Sequence, residues 1–129
     1  MKVAFDFDNV LADQGAGWPH RYFVMRELWK ALHAAKHILF VFHYISPSDY
    51  TPSNFPGKYP TKAAAFEGHQ KIITYAFDHY LLPKPHGVFF TTKTKQVLYE
   101  AHRPDLVIDD MTSWTRLADE KGITALRLL

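Results

Sequence analysis

Cysteine is absent from the 129 residues, so disulfides, zinc–thiolate sites and thiol nucleophiles are excluded. Charge of one sign is also scarce: 15 Lys and Arg against 13 Asp and Glu leave a formal net charge of +2, too little to indicate a nucleic-acid surface by itself. Long hydrophobic runs are missing as well. The longest, Ile38 to Phe42, falls far short of a membrane span. No apolar leader with a small-residue cleavage site opens the chain, which reads as a soluble cytoplasmic protein. Against these absences, 47% apolar and 16% aromatic residues argue for one packed domain rather than a disordered chain.

What is present is ordered by alternation. Val3 to Phe7 is a nearly continuous apolar strand, and Pro19 to about Ala35 carries Phe23, Leu28, Trp29 and Leu32 near helical spacing. Ile38 to Phe42 is a second buried strand. Residues 46–62 hold Pro47, Pro52, Pro56 and Pro60, a density that predicts a long loop. A helix over 63–80, with Gly68 as its weak point, leads to a strand at 87–90. A short helix at 95–102, a strand at 106–108, a helix at 113–121 ended by Gly122 and a strand at 123–128 complete the order. Strands alternating with helices predict a three-layer α/β fold, Rossmann-like, with about five parallel strands and right-handed crossovers.

Two of those strands end in acidic pairs, Asp6 with Asp8 and Asp109 with Asp110. Like charges resist joint ionisation at close range, so such pairs suit a hard cation held by oxygen ligands. In open parallel sheets, ligands bind beyond the carboxyl ends of the strands, which places all four carboxylates on one rim. A carboxylate can attack phosphorus to give an aspartyl-phosphate if a cation neutralises the phosphoryl oxygens and an acid protonates the leaving oxygen. On that chemistry Asp6 is the nucleophile, and Asp8 is the acid/base whose carbonyl faces the metal. One or both of Asp109 and Asp110 complete a magnesium site. Lys95 and Lys93, at the start of the short helix, offer positive charge, and Ser46 offers a hydroxyl after the second strand.

These motifs resemble the haloacid dehalogenase (HAD) superfamily of phosphohydrolases. Asp6-Phe7-Asp8-Asn9-Val10 fits its Asp-x-Asp-x-(Thr/Val) first motif, Lys95 or Lys93 its third-motif lysine, and Val107-Ile108-Asp109-Asp110 its acidic fourth motif. Asp8 to Asp13 looks like the opening of the 5'(3')-deoxyribonucleotidase branch, where glycine usually replaces Asn9. The resemblance implies a HAD-type fold, Mg2+, and Asp110 ahead of Asp109 as metal ligand. Two departures shape the expectation. The second motif has His43 or Ile45 where Thr or Ser is expected, so Ser46 or His43 must serve. The ten residues at 9–18 leave no room for a cap domain, so the expectation is one uncapped catalytic domain over 1–129.

Asn9, His43 and Lys93 stand as substrate contacts, and Tyr50, Asn54, Phe55, Lys58 and Tyr59 as loop residues turned toward the site. The expected activity is removal of phosphate from a phosphomonoester, a nucleotide or another phosphorylated metabolite. Two alternatives stay open: a phosphatase for nucleic-acid ends, or a degenerate module binding a phosphorylated ligand or a protein. No membrane partner is expected, and homo-oligomerisation stays open. The other histidines (His20, His33, His37, His69, His79, His86, His102) lack ligand spacing and read as surface or capping residues, and Trp18, Trp29 and Trp114 as core or semi-buried aromatics.

Overall fold

The computed structural model describes residues 1–12, 19–50 and 58–128. Strands β1 (Lys2–Phe5), β2 (Ile38–Tyr44), β3 (Gly87–Thr91), β4 (Leu106–Asp109) and β5 (Thr124–Arg127) alternate with helices α1 (Pro19–Ala34), α2 (Lys62–His79), α3 (Gln96–His102) and α4 (Thr112–Glu120). All pairings are parallel, and the sheet order is β3-β2-β1-β4-β5. The topology therefore reverses direction between β1 and β4, where a crevice opens at the carboxyl edge. This is the expected Rossmann-like three-layer fold, and the boundaries differ from the sequence reading by a residue or two.

Alternation along each strand explains the layers. Val3, Phe5, Leu39, Val41 and Ile108 face one side, with Met25 and Trp29 of α1 and Ile73, Ala76 and Phe77 of α2. Ala4, Phe42 and Val107 face the other, with Leu98 and Tyr99 of α3 and Ala118 of α4. Helices on both faces leave the central strands no solvated side, and their runs are apolar throughout for that reason. Trp29 is fully buried: its ring meets Phe5 and Phe77 edge-on, both at 5.1 Å between centroids, and its Nε1–H donates to the Pro83 carbonyl at 2.9 Å.

Two local features depart from expectation. Strand β2 continues past Phe42 to Tyr44, because His43 pairs with Phe90 and packs edge-on against the rings of Phe7 and Phe90. The proline-rich segment, read as wholly irregular, starts with a 3-10 turn at Pro47–Asp49, with Pro47 in the first turn where no N–H is needed. The residues at 51–57, including Asn54 and Phe55, and those at 13–18, including Trp18, lie outside the described residues. Among the described residues no helix is long and apolar enough to cross a membrane.

Trp29→Ala is expected to cost about 3–5 kcal/mol, since a large ring and its hydrogen bond leave the core together. Chemical denaturation of the variant against the parent chain checks the value.

Candidate active site

The register of the two central strands builds the site. Phe5 pairs with Ile108, and the Asp6 N–H donates to the Ile108 carbonyl at 2.9 Å, so Asp6 lies directly beside the end of β4. Beyond it the chain turns sharply. The Phe7 carbonyl accepts from the N–H groups of Val10, Leu11 and Ala12, and Asn9 N–H donates to the Ala12 carbonyl. Asn9 takes φ 60°, a left-handed conformation that asparagine tolerates better than most residues and glycine tolerates freely. The Arg21 guanidinium donates to the Asn9 carbonyl (3.1 Å) and Arg26 Nε to that of Leu11 (2.8 Å), tying the turn to α1.

Lys95, the residue that caps α3, is 1% exposed and reaches both acidic strand ends. Its Nζ donates to Asp6 Oδ1 at 3.0 Å and to Asp109 Oδ2 at 2.5 Å. Burial favours the neutral amine, but Asp6 and Asp109 outweigh it and hold Lys95 above its ordinary value, so it is charged. Asp6, Asp109 and Asp110 bring one carboxylate oxygen each within 4.8 Å of one another. Burial pushes Asp6 well up despite Lys95, and Asp109 and Asp8 add to the rise. Asp110 is also raised by burial, with its hydrogen bond to Asp6 opposing and Asp109 adding to the rise. Asp8 is raised by burial, with His69 and Lys95 opposing.

Three carboxylates this close, with one ammonium among them, fit an oxygen-ligated dication better than they fit each other. Asp109 uses Oδ2 on Lys95 and Oδ1 on the Met111 N–H (3.0 Å), while Asp110 hydrogen-bonds to Asp6 and Asp109. A cavity of about 320 Å³ opens over this cluster, lined by Asp6, Asp8, Asn9, Lys95 and Asp110, with Met111 and the aromatic pair Tyr44 and Trp114 at its wall. The Tyr44 and Trp114 rings lie 5.7 Å apart at 48°.

Not every expected residue is gathered here. Ser46 caps the 3-10 turn, accepting from Ser48 N–H and bonding the Ser48 hydroxyl, and does not line this cavity. Lys93 is exposed, and its backbone N–H donates to Thr91 Oγ1. His43 is buried and turned toward a neighbouring cleft, where its Nε2 lies 2.8 Å from His69 Nδ1. His69 Nε2 in turn lies 2.9 Å from Asp49 Oδ2. His69, Asp49, Tyr44 and Trp114 were not singled out by sequence reasoning as site residues. The detectable signal was Tyr44 and His43 at the end of a strand on the active rim.

No protein-family model and no curated protein sequence matches the chain. Its fold is similar to that of a chain in the Pnkp1/Rnl/Hen1 complex, with TM-score 0.68 and 9% identity; the match covers 98% of this protein and 45% of that chain, under half of its length. It is also similar to the D,D-heptose 1.7-bisphosphate phosphatase of B. bronchiseptica, solved with magnesium and phosphate (TM-score 0.60, 12% identity, 97% and 79% covered). A universal stress protein family member from Burkholderia pseudomallei gives TM-score 0.57 at 16% identity, with 98% and 94% covered. At these identities the likeness is one of fold alone, and the chemistry rests on this chain's own residues.

Asp6, Asp8 and Asp110 hold protons to higher pH in the folded chain than in the unfolded one. Folding then takes up protons, so stability falls as pH rises from the ordinary carboxylate range through the raised values. Thermal melts in a chelator should show that fall, and saturating Mg2+ should flatten it. A profile unmoved by Mg2+ would show that the acidic cluster binds none.

Proposed function

We propose that this chain is a magnesium-dependent phosphohydrolase of HAD type, a single catalytic domain that removes phosphate from a phosphomonoester such as a nucleotide. The observation that carries the reading is Lys95 bridging Asp6 and Asp109 at the point where the sheet order reverses, with Asp110 and Asp8 on the same cavity. A bound magnesium ion would be held by Asp6, the Asp8 carbonyl and Asp110, and would neutralise the phosphoryl oxygens. Lys95 orients Asp6 through Oδ1, and a carboxylate oxygen of Asp6 attacks phosphorus. As the bond to the leaving oxygen breaks, its electron pair takes the proton of Asp8. The raised Asp8 carboxyl suits that task, since it keeps its proton to higher pH than an ordinary aspartate. Asp8 then accepts a proton from the water that cleaves the aspartyl-phosphate and restores Asp6.

The Tyr44 and Trp114 wall supports a second reading, a phosphorylated nucleic-acid end, because a flanking base stacked on such a side chain gains about 1–3 kcal/mol. Only six positions, 13–18, separate the described turn from α1, too few for a cap domain there, and a site without such a domain admits a large substrate. Comparing phosphate release from a 5'- or 3'-phosphorylated oligonucleotide with that from free nucleotides and sugar phosphates decides between them. Ser46, Lys93 and His43 drop behind Lys95, Asn9, Tyr44 and Trp114 as substrate contacts.

Asp6→Asn is expected to abolish phosphate release while circular dichroism stays unchanged; appreciable residual turnover contradicts the nucleophile assignment, and no release by the parent chain favours a binding module. Asp8→Ala is expected to lower kcat by about 10²–10⁴-fold. Its Mg2+ affinity by calorimetry should stay near that of the parent, because the proposed ligand is the backbone carbonyl.

A further inference from the structure

A second cleft, of about 90 Å³, is lined by Asp8, His43, Asp49, Lys58, Tyr59 and His69 together with apolar Phe7, Ile72 and Ile73. Among the described residues Asp8 alone lines both this cleft and the cavity over Lys95. One carboxylate thus stands between two separate spaces.

The walls of the smaller space are built rather than incidental. His43 Nδ1 is buried with no hydrogen-bond partner among the described residues. A bare ring nitrogen is less costly there than a stranded N–H, so the proton belongs on Nε2, donated to His69 Nδ1 at 2.8 Å. His69 then donates from Nε2 to Asp49 at 2.9 Å. Burial, with His69 and Lys95, pushes His43 down to about 3, which keeps it neutral in this chain of bonds. The chain fixes α2 and the 3-10 turn to the end of β2. Tyr59 closes the opposite side: its N–H donates to the Asp49 carbonyl at 2.9 Å, and its ring lies 5.8 Å from that of His69. It fits because residue 68 is glycine. A Cβ there would stand 2.7 Å from the Tyr59 Cζ and Oη.

We propose that this cleft is the leaving-group subsite, and that Tyr59 and Lys58 select which alcohol departs. The inference rests on the phosphatase reading above. Asp8 must reach the leaving oxygen while the phosphoryl group sits over Asp6 and Lys95, so the alcohol lies on the other side of Asp8. A space near 90 Å³ holds a group of a few heavy atoms. One aromatic ring and an ammonium beside fixed polar side chains suit a small hydroxylated alcohol, with any larger part extending outward past exposed Lys58.

The test is a series of phosphomonoesters sharing the phosphoryl group and differing in the alcohol: methyl, glyceryl, ribosyl and p-nitrophenyl. Each is measured with the parent chain, Tyr59→Ala and Gly68→Ala. Gly68→Ala strengthens helix propensity while displacing the Tyr59 ring, so it separates cleft shape from folding. Both variants are expected to change kcat/KM for glyceryl and ribosyl esters relative to the methyl ester by about tenfold. Inhibition by inorganic phosphate, which needs no alcohol subsite, should stay unchanged. Equal scaling of all four esters, or a matching shift in phosphate inhibition, overturns the subsite alone. No turnover of any ester by the parent chain overturns the phosphatase reading and the subsite with it.

Discussion

A buried ammonium held between two strand ends is the constraint on which the site depends. Lys95 has almost no contact with water, and its charge is balanced by Asp6, 89 residues away in sequence, and by Asp109. Breaking a buried pair by removing one partner commonly costs about 3–5 kcal/mol, because the remaining charge is stranded. Here the clamp joins the first residue past β1, the last residue of β4 and the cap of α3 in one place. The sheet register and the proposed catalytic geometry therefore rest on the same set of bonds. A chain that misaligns β1 against β4 loses the site and the clamp in one step.

The clamp also sets the charge problem that the site has to solve. Asp6, Asp109, Asp110 and Asp8 face a single lysine, and burial first, with the neighbouring carboxylates adding to it, raises Asp6, Asp8 and Asp110. Such crowding is tolerable when a proton or a cation shares the space. The first option is what the proposed acid at Asp8 uses, and the second is what a cation held at Asp110 would use.

Much of this was legible in the sequence, and the reasons are specific. Apolar runs ending in Asp6 and Asp109 carry their own label, because carboxylates seldom finish buried strands in pairs. The element order then fixed which edge they share, and Trp29 stood out as core from its helical spacing. Ser46 was misleading because a serine after a strand serves turn capping as readily as ligand contact, and here it meets Ser48. His69 left no trace, since one histidine on a helix has no periodicity to betray it. Its partners, His43 and Asp49, come from two other parts of the chain and meet only after α2 packs down. Trp114 was read as a core or semi-buried aromatic, and it is half-buried at the cavity wall; an aromatic four residues past Asp110 reaches that rim only because α4 starts at Thr112.

Gly68 looks like a defect in α2 until the ring above it is considered. The bare position and the tyrosine interlock, so neither can drift independently under mutation. A side chain at 68 becomes tolerable once residue 59 has slimmed, and under the proposed subsite a wider gap between them would admit bulkier alcohols beside Asp8. Diversification of this scaffold would then begin at a helix backbone, well away from any reacting atom.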